Sequence, residues 1–418
     1  MKGIKIILGI GFVAVAAILS PPLMTRFWDE RQLTLASSAL LAHGLMGTLD
    51  FFKPIIIRRI SLNPKFATIN NLFIPSFLSS IIISLVFTST GYFYLPDLYF
   101  PLVLSIGFCV IIYGIYSPFW GLLNANLRVS DTYLIRSLSV AFLYSALGVG
   151  ALTGRDEVIY ASLIMANLVP GFIFCYLSRS LLEKNGWSID KTYWIEVFNV
   201  LIQNIGRSVI DFGDRLLAML YLPVTGSGKY IIVSDIASRA NFFTQLITIQ
   251  SYPILCRYHE KAKIFLVAGI CISASIICVS ILFLFYGKEI YIWYLGDKIE
   301  DFFLVFCCLL SSFGVHTLGY FGQAILRSRS MDRSLSVSLL APAFMCLIYL
   351  IVASEQLGLY KIIVLMVASK AGAFLMMARL IKIYPLHAIC GMLCCVASWS
   401  FVAYALNYVT VDGGYAFL

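Results

Sequence analysis

Asp211, Asp214, Arg215, Asp235 and Arg239 are ionisable residues set in stretches otherwise apolar enough to cross a membrane. A charge at the centre of a bilayer costs at least about 2.5–3.5 kcal/mol. Such residues face water, pair with one another, or line a path for something polar. Glu196, Asn199, Gln203, Arg207, Asp211 and Asp214 recur at intervals of three or four, so they share one face of a helix. With a rise of about 1.5 Å per residue, Asp235 in the next stretch lies level with Asp214 and Arg215, and Arg239 level with Asp211. Two arrangements satisfy this pattern. Either the charges form an ion-pair network that glues two helices together, Asp211 with Arg239 among them, or they line a hydrated cavity. The uncharged polar residues Ser234, Ser238, Gln245 and Thr248 extend the face well beyond the charges and favour the cavity.

Weaker candidates lie elsewhere. Lys370 sits among Ala368, Ser369, Ala371, Gly372 and Ala373. Small residues of this kind pack helices closely in membranes, yet a lysine at that depth needs water or an acid. Asp50 and Lys53 fall near the inner mouth of a span, where snorkelling explains them as well as gating does. His43 and His316 are single polar residues in apolar spans and read as hydrogen-bonded packing residues rather than proton relays. The Cys390-x3-Cys394-Cys395 group lacks His or acidic partners at zinc spacing, so no metal site is expected. No Gly-rich phosphate loop with Lys and Ser/Thr is present, so ATP hydrolysis is excluded, no cofactor is expected, and the chain is not read as an enzyme.

The elements that must position these residues follow from composition. The chain has 418 residues, of which 60% are hydrophobic and only 12% charged, with a mean hydropathy of +0.90. Soluble proteins carry about 25% charged residues, so the chain is an all-α polytopic membrane protein. Windows of about 20 apolar residues place spans near 4–24, 33–57, 72–95, 98–123, 133–153, 158–178, 195–222, 229–254, 264–287, 302–326, 334–353 and 360–381. A further stretch, 386–407, is long enough for a thirteenth. The opening residues resemble a secretory signal, but cleavage would reverse every later loop, so they are read as a retained span.

With the N-terminus cytoplasmic, nineteen of the 30 Lys and Arg fall in inner loops and seven in outer loops. The other four, Arg207, Arg215, Arg239 and Lys370, lie within the membrane. This asymmetry is the positive-inside rule, and it accounts for the net charge of +9 without a nucleic-acid partner. Aromatic-rich outer ends such as Tyr92-Phe93-Tyr94 and Tyr291-x-Trp293-Tyr294 read as an interfacial belt.

A weak internal repeat is visible. Pro54-Ile-Ile-Ile-Arg58 recurs as Pro253-Ile-Leu-Cys-Arg257, 199 residues on, and Gly121-x6-Arg128-x2-Asp131 recurs as Gly322-x6-Arg329-x2-Asp332, 201 residues on. Six spans per repeat predict two six-helix bundles as parallel repeats around a central cavity. The bundles would occupy residues 1–180 and 195–383, joined by a cytoplasmic linker at 181–194, with 384–418 supplying the additional helix and tail.

Asp214-Arg215-Leu-Leu-Ala-Met-Leu-Tyr-Leu-Pro, Gly228-Lys-Tyr230 and Tyr252-Pro253-Ile-Leu-Cys-Arg257 resemble the opening of the second half of bacterial polysaccharide flippases. Thr25-Arg26-Phe27, Asp50, Pro54–Arg59 and Gly121-Leu-Leu-Asn124-Ala-Asn126-Leu-Arg128 resemble their first half. Together these segments resemble the Wzx-type O-antigen flippases of the multidrug/oligosaccharidyl-lipid/polysaccharide (MOP) exporter superfamily. The apolar 386–407 stretch departs from that family's twelve-helix core. The resemblance implies transfer of undecaprenyl-diphosphate-linked oligosaccharide between leaflets of the bacterial inner membrane. Its implied partners are that lipid-linked substrate, membrane lipids, and the polymerase and assembly proteins of polysaccharide biosynthesis. On this reading Arg207, Arg215, Arg239, Lys370, Gln203 and Asn199 would line the substrate cavity. Protonation of Asp211, Asp214, Asp235 or Asp50 would couple transport to an ion gradient. The rivals are a cation-coupled drug or metabolite exporter, which would favour acids over Arg in the cavity, and a non-transporting scaffold for envelope assembly, which needs no hydrated charged core.

Overall fold

The computed structural model describes residues 2–48, 52–94, 99–126, 128–182, 189, 191–241, 244, 247–248, 255, 258–329, 331–352, 362 and 370–411. The chain divides into two compact units, Met1–Asn204 and Ile205–Leu418. In the first lie α1 (Lys2–Phe27), α2 (Glu30–Thr48), α3 (Phe52–Leu62), α4 (Ile69–Tyr94), α5 (Phe100–Ala125), α6 (Val129–Thr153) and α7 (Glu157–Ser178). Helix α8 (Lys191–Tyr221) passes from the first unit into the second. The second continues with α9 (Val224–Ser238), α10 (Ala262–Tyr286), α11 (Lys288–Leu295), α12 (Phe303–Ser328), α13 (Asp332–Val352), α14 (Ala371–Leu380) and α15 (Pro385–Val411).

Among the described residues seven helical stretches are long and apolar enough to cross a bilayer: Ile69–Phe93, Phe100–Ala125, Val129–Thr153, Glu157–Leu181, Ala262–Tyr286, Asp297–Ser328 and Pro385–Leu406. The last is the thirteenth apolar stretch of the sequence. It is built into the second unit, with Ser398 Oγ 2.7 Å from Ser311 Oγ and Trp399 tilted against Phe374. Two predicted spans differ in detail. In the 229–254 span the α-helix runs to Ser238 and Arg239–Asn241 tighten into a 3-10 turn, with Thr244, Ile247 and Thr248 helical again beyond it. Asn241 there accepts a hydrogen bond from the Thr317 hydroxyl at 2.6 Å, which ties the turn to α12. Residues 360–361 and 363–369 of the 360–381 span lie outside the described residues, and Lys370 stands at the start of α14, just before its first helical residue.

Each unit is organised about one central helix. The membrane windows of α5 and α12 are 61% and 78% buried, against 28% for α4 and for α10, so the first two are cores and the latter two face lipid. In the first unit α5 packs on α3, α4 and α7, while α1 packs on α6. In the second, α12 packs on α9, α10 and α14, and Gly206 of α8 meets the Leu339 backbone of α13. These pairs join spans 4 with 2, 3 and 6, and spans 10 with 8, 9 and 12. The 199–201-residue repeat of the sequence is thus a repeat of helix pairings.

The close approaches use small residues, since apolar side chains gain little by leaving lipid for protein. Ser76 and Ser84 of α4 donate to the Gly114 and Gly107 carbonyls of α5 at 2.7 and 2.8 Å. Gly314 of α12 leaves room for the Ser273 carbonyl of α10, which a Cβ would meet at 3.2 Å. Helix α6 ends on Gly154 in the left-handed region at φ 63°, as a C-terminal glycine permits.

The predicted linker at 181–194 does not coincide with the division of the chain, which falls between Asn204 and Ile205 inside α8. The first turns of α8 are held in the first unit. Tyr193 is fully buried against the rings of Phe52 and Phe66, and Glu196 Oε2 lies 3.3 Å from Arg59 Nε.

Candidate functional site

The ionisable residues of the second unit separate into two clusters with different charge balance. The first is built on α8, α12 and the start of α14. Asp211, buried, stands at its centre. Its Oδ2 lies 3.2 Å from Arg207 Nε one turn earlier and 3.5 Å from the Tyr320 hydroxyl. Its Oδ1 lies 2.8 Å from His316 Nε2. The Arg207 guanidinium also sits over the Tyr320 ring, 5.1 Å from its centroid. Lys370 is only 1% exposed; its ammonium donates to the Ile210 carbonyl at 2.8 Å and lies 5.0 Å from the Phe313 ring centre.

These groups border a small open cavity, about 330 Å³ counting the solvent at its mouth, lined by Arg207, Asp211, His316, Tyr320, Gln323 and Lys370 together with small and aliphatic residues. Gly372 sets the approach of α14. A Cβ there would come within 2.9 Å of the Ser338 carbonyl and 3.2 Å of Ile210 Cδ1. Among the described residues the cluster therefore holds two basic groups, Arg207 and Lys370, and one carboxylate, with a histidine able to add a further positive charge. Among the described residues one of the three ammonium N–H donors of Lys370 is used, so the cavity presents donors and surplus positive charge. That arrangement is suited to an anion, because N–H donors on cationic groups form the strongest hydrogen bonds to phosphate and carboxylate.

The second cluster joins α8 to α9 and is balanced. Arg215, 4% exposed, donates from Nε to the Ser234 hydroxyl at 2.9 Å and from Nη2 to the Ser234 carbonyl at 3.1 Å. Asp214 accepts from Tyr230 at 2.9 Å and from Ser234 at 3.1 Å. Asp235 pairs with Arg239 at 2.8 Å and lies 4.0 Å from Arg215. Two arginines face two aspartates, and the surrounding hydroxyls satisfy most of what remains. This is a charge-balanced structural lattice, in which Asp214 Oδ1 takes no hydrogen bond among the described residues.

The sequence-predicted residues thus fall into three groups. Arg207, Asp211 and Lys370 come together at the cavity, and Asp214, Arg215, Asp235 and Arg239 form the lattice. Gln203 and Asn199 belong to the first unit, and neither lines the cavity; Gln203 is buried and Asn199 is exposed. Asp50 lies outside the described residues. The level pair anticipated between Asp211 and Arg239 is not made. Each takes a partner four residues earlier in the chain, Arg207 and Asp235 respectively.

Sequence reasoning set His316 aside as a packing residue, and it omitted Tyr320, Gln323 and Tyr230. The signal for three of them was available: His316, Tyr320 and Gln323 are spaced i, i+4, i+7 and so share one face of span 10. His43 in the first unit is a packing residue of the expected kind, its Nδ1 3.5 Å from Asn167 Nδ2.

No protein-family model matches the sequence, and no curated protein does. Solved structures do match its fold. The lipid II flippase MurJ in an inward closed conformation superposes with a TM-score of 0.62 at 11% identity, covering 97% of this chain and all of that one. An inward-facing multidrug resistance MATE family transporter of the MOP superfamily gives 0.56 at 12% identity over 96% and 95%. A MOP superfamily transporter from Pyrococcus furiosus, described by a reverse polarity of its binding pocket, gives 0.51 at 11% over 99% and 95%. At these identities the likeness establishes the fold. The chain is an all-α polytopic membrane protein with the architecture shared by MOP superfamily flippases and exporters.

Proposed function

We propose that this protein flips an undecaprenyl-diphosphate-linked oligosaccharide, of the O-antigen or related polysaccharide type, from the inner to the outer leaflet of the bacterial inner membrane by alternating access. The observation that carries this reading is the charge balance of the cavity in the second unit. Arg207 and Lys370, with His316 beside them, outweigh the single carboxylate of Asp211. A diphosphate is the part of such a substrate that this set would grip, with Arg207 presenting a fork of donors and Lys370 a point charge. The sugars and the isoprenoid would lie outside so small a space. A cation-coupled drug exporter of the same fold would carry the opposite surplus. The name of the MurJ structure, a lipid II flippase, is consistent with a lipid-linked substrate.

The loop charges support a cytoplasmic N-terminus, with the loops at Lys53–Lys65, Ser178–Lys191 and Arg327–Arg333 on the same side. Reporter fusions that place any of these three outside would overturn the orientation. For the function itself, cells lacking the gene should accumulate lipid-linked oligosaccharide on the inner leaflet and lose surface glycan. Arg207→Ala, made at normal protein level, should do the same. Normal surface glycan in both strains would sink the proposal.

A further inference from the structure

Among the described residues Asp211 is the one acid lining a cavity otherwise furnished for an anion, and it already engages Arg207, a cation that an incoming anion would need. Oδ2 faces Arg207 at 3.2 Å and Tyr320 at 3.5 Å, while Oδ1 faces His316 at 2.8 Å. Asp211, His316 and Tyr320 are buried, Asp211 being 8% and His316 7% exposed, while Arg207 is half-buried. Contrast the α8–α9 lattice, where two arginines balance two acids: Asp235 pairs with Arg215 and Arg239, and Asp214 is held by the Tyr230 and Ser234 hydroxyls. From this geometry we infer that Asp211 is a built-in counter-anion, standing in the empty cavity where the anionic group of the substrate goes. The inference rests on the reading of the cavity as an anion site and adds how that site is regulated.

The physical argument runs through charge. An empty cavity with Arg207 and Lys370 unneutralised in a low-dielectric interior would be costly to maintain. The Asp211 carboxylate lowers that cost. A substrate phosphate entering beside Arg207 would meet Asp211 as a like charge at close range, in a medium where such repulsion is strong. The conflict is relieved when Asp211 takes up a proton from water or swings away from Arg207. Protonation changes only the carboxylate: one O–H bond forms, one negative charge is lost, and Arg207 and His316 are freed for the anion. Anion binding and proton uptake at Asp211 are therefore linked.

The sign follows from the linkage. A proton on Asp211 removes repulsion, so anion affinity rises as pH falls through the range where Asp211 titrates, and falls as pH rises. The other ionisable groups facing Asp211 are Arg207 on its own helix, His316 and Tyr320 on α12, and Lys370 at the start of α14. Arg207 remains charged, and Tyr320 neutral, throughout the accessible range. His316 would give a slope of the same sign, so the experiment must separate it from Asp211.

The test uses the purified full-length protein in lipid nanodiscs and inorganic pyrophosphate as the probe, with affinity measured from pH 5 to pH 8. Asp211→Asn keeps the shape of the side chain, removes its charge and cannot titrate. It should bind pyrophosphate about tenfold more tightly than the parent at pH 8 and show a flattened pH dependence. His316→Gln should keep the slope. In cells Asp211→Asn should nonetheless export poorly, because the emptied cavity has lost its counter-charge. Tightly bound pyrophosphate insensitive to both Arg207→Ala and Lys370→Ala would remove the anion site itself, and with it the proposed function. Binding that needs both cations but is unchanged or weakened by Asp211→Asn would leave the anion site standing and overturn the counter-anion role. So would a slope that survives Asp211→Asn and disappears in His316→Gln. If Asp211→Asn fails to fold, the wild-type slope decides together with His316→Gln: affinity independent of pH would overturn the inference.

Discussion

Lys370 reaches the carbonyl of Ile210, 160 residues earlier in the chain, and donates to it at 2.8 Å. The contact brings a buried ammonium from the first residue before α14 against the middle of α8, one residue from Asp211. No acid lies within ion-pair distance of it among the described residues. Among the described residues the ammonium is held by this carbonyl and the Phe313 ring, with Asp214 and Asp211 acting on it from beyond ion-pair distance.

Lys370→Met should therefore leave the protein folded and abolish export. Replacing a buried ionic group by an apolar residue of similar volume is often neutral or stabilising, by about 1–4 kcal/mol. The thermal midpoint of the purified variant should match or exceed that of the parent while surface glycan is lost. A large fall in the midpoint would instead show Lys370 to be part of the structural core.

Arg215→Ala should behave in the opposite way. It strips Asp235 of a guanidinium and leaves the buried acids of the lattice short of positive charge, a loss of about 3–5 kcal/mol. Membrane protein level and thermal midpoint should both drop. Arg215→Lys should not restore them, because a lysine cannot span the Ser234 hydroxyl and carbonyl as the planar fork does. Arg207→Ala, by contrast, should be made at normal level. Equal expression of Arg207→Ala and Arg215→Ala would erase the distinction between cavity and lattice.

Tyr230→Phe deletes one of the two hydrogen bonds to Asp214 Oδ2. Leaving a buried carboxylate short of a donor should destabilise the protein by about 1–3 kcal/mol. The variant should unfold earlier in a thermal ramp yet keep its affinity for the anionic probe, since Tyr230 lies in the lattice and not in the cavity.

Gly372→Ala tests how the site is assembled. Its Cβ would sit 2.9 Å from the Ser338 carbonyl, and overpacking of this kind typically costs about 1–3 kcal/mol. The displaced start of α14 carries Lys370, so the thermal midpoint and anion affinity should fall together. Gly11→Ala, whose Cβ meets nothing within 4 Å, should change neither and serves as the control.

The amino-acid sequence alone determined that the chain is a bundle of membrane helices with a repeat near 200 residues, and that Arg207, Asp211, Arg215, Asp235 and Lys370 are its anomalous charges. Hydropathy is a local property, and an ion in lipid is penalised wherever the helix turns, so these features survive any arrangement of neighbours. Pairing is not local. Asp211 and Arg239 sit at matching depth, and depth was all the helix rise could supply. Which groups meet depends on the rotation of α8 against α12, on the end of α9 at Ser238, and on Gly372 letting α14 close on Ile210. Those are set by packing between segments far apart in the chain. Only the tertiary structure could turn His316 toward Asp211, separate a neutral lattice from a positively charged cavity, and place Lys370 in the latter.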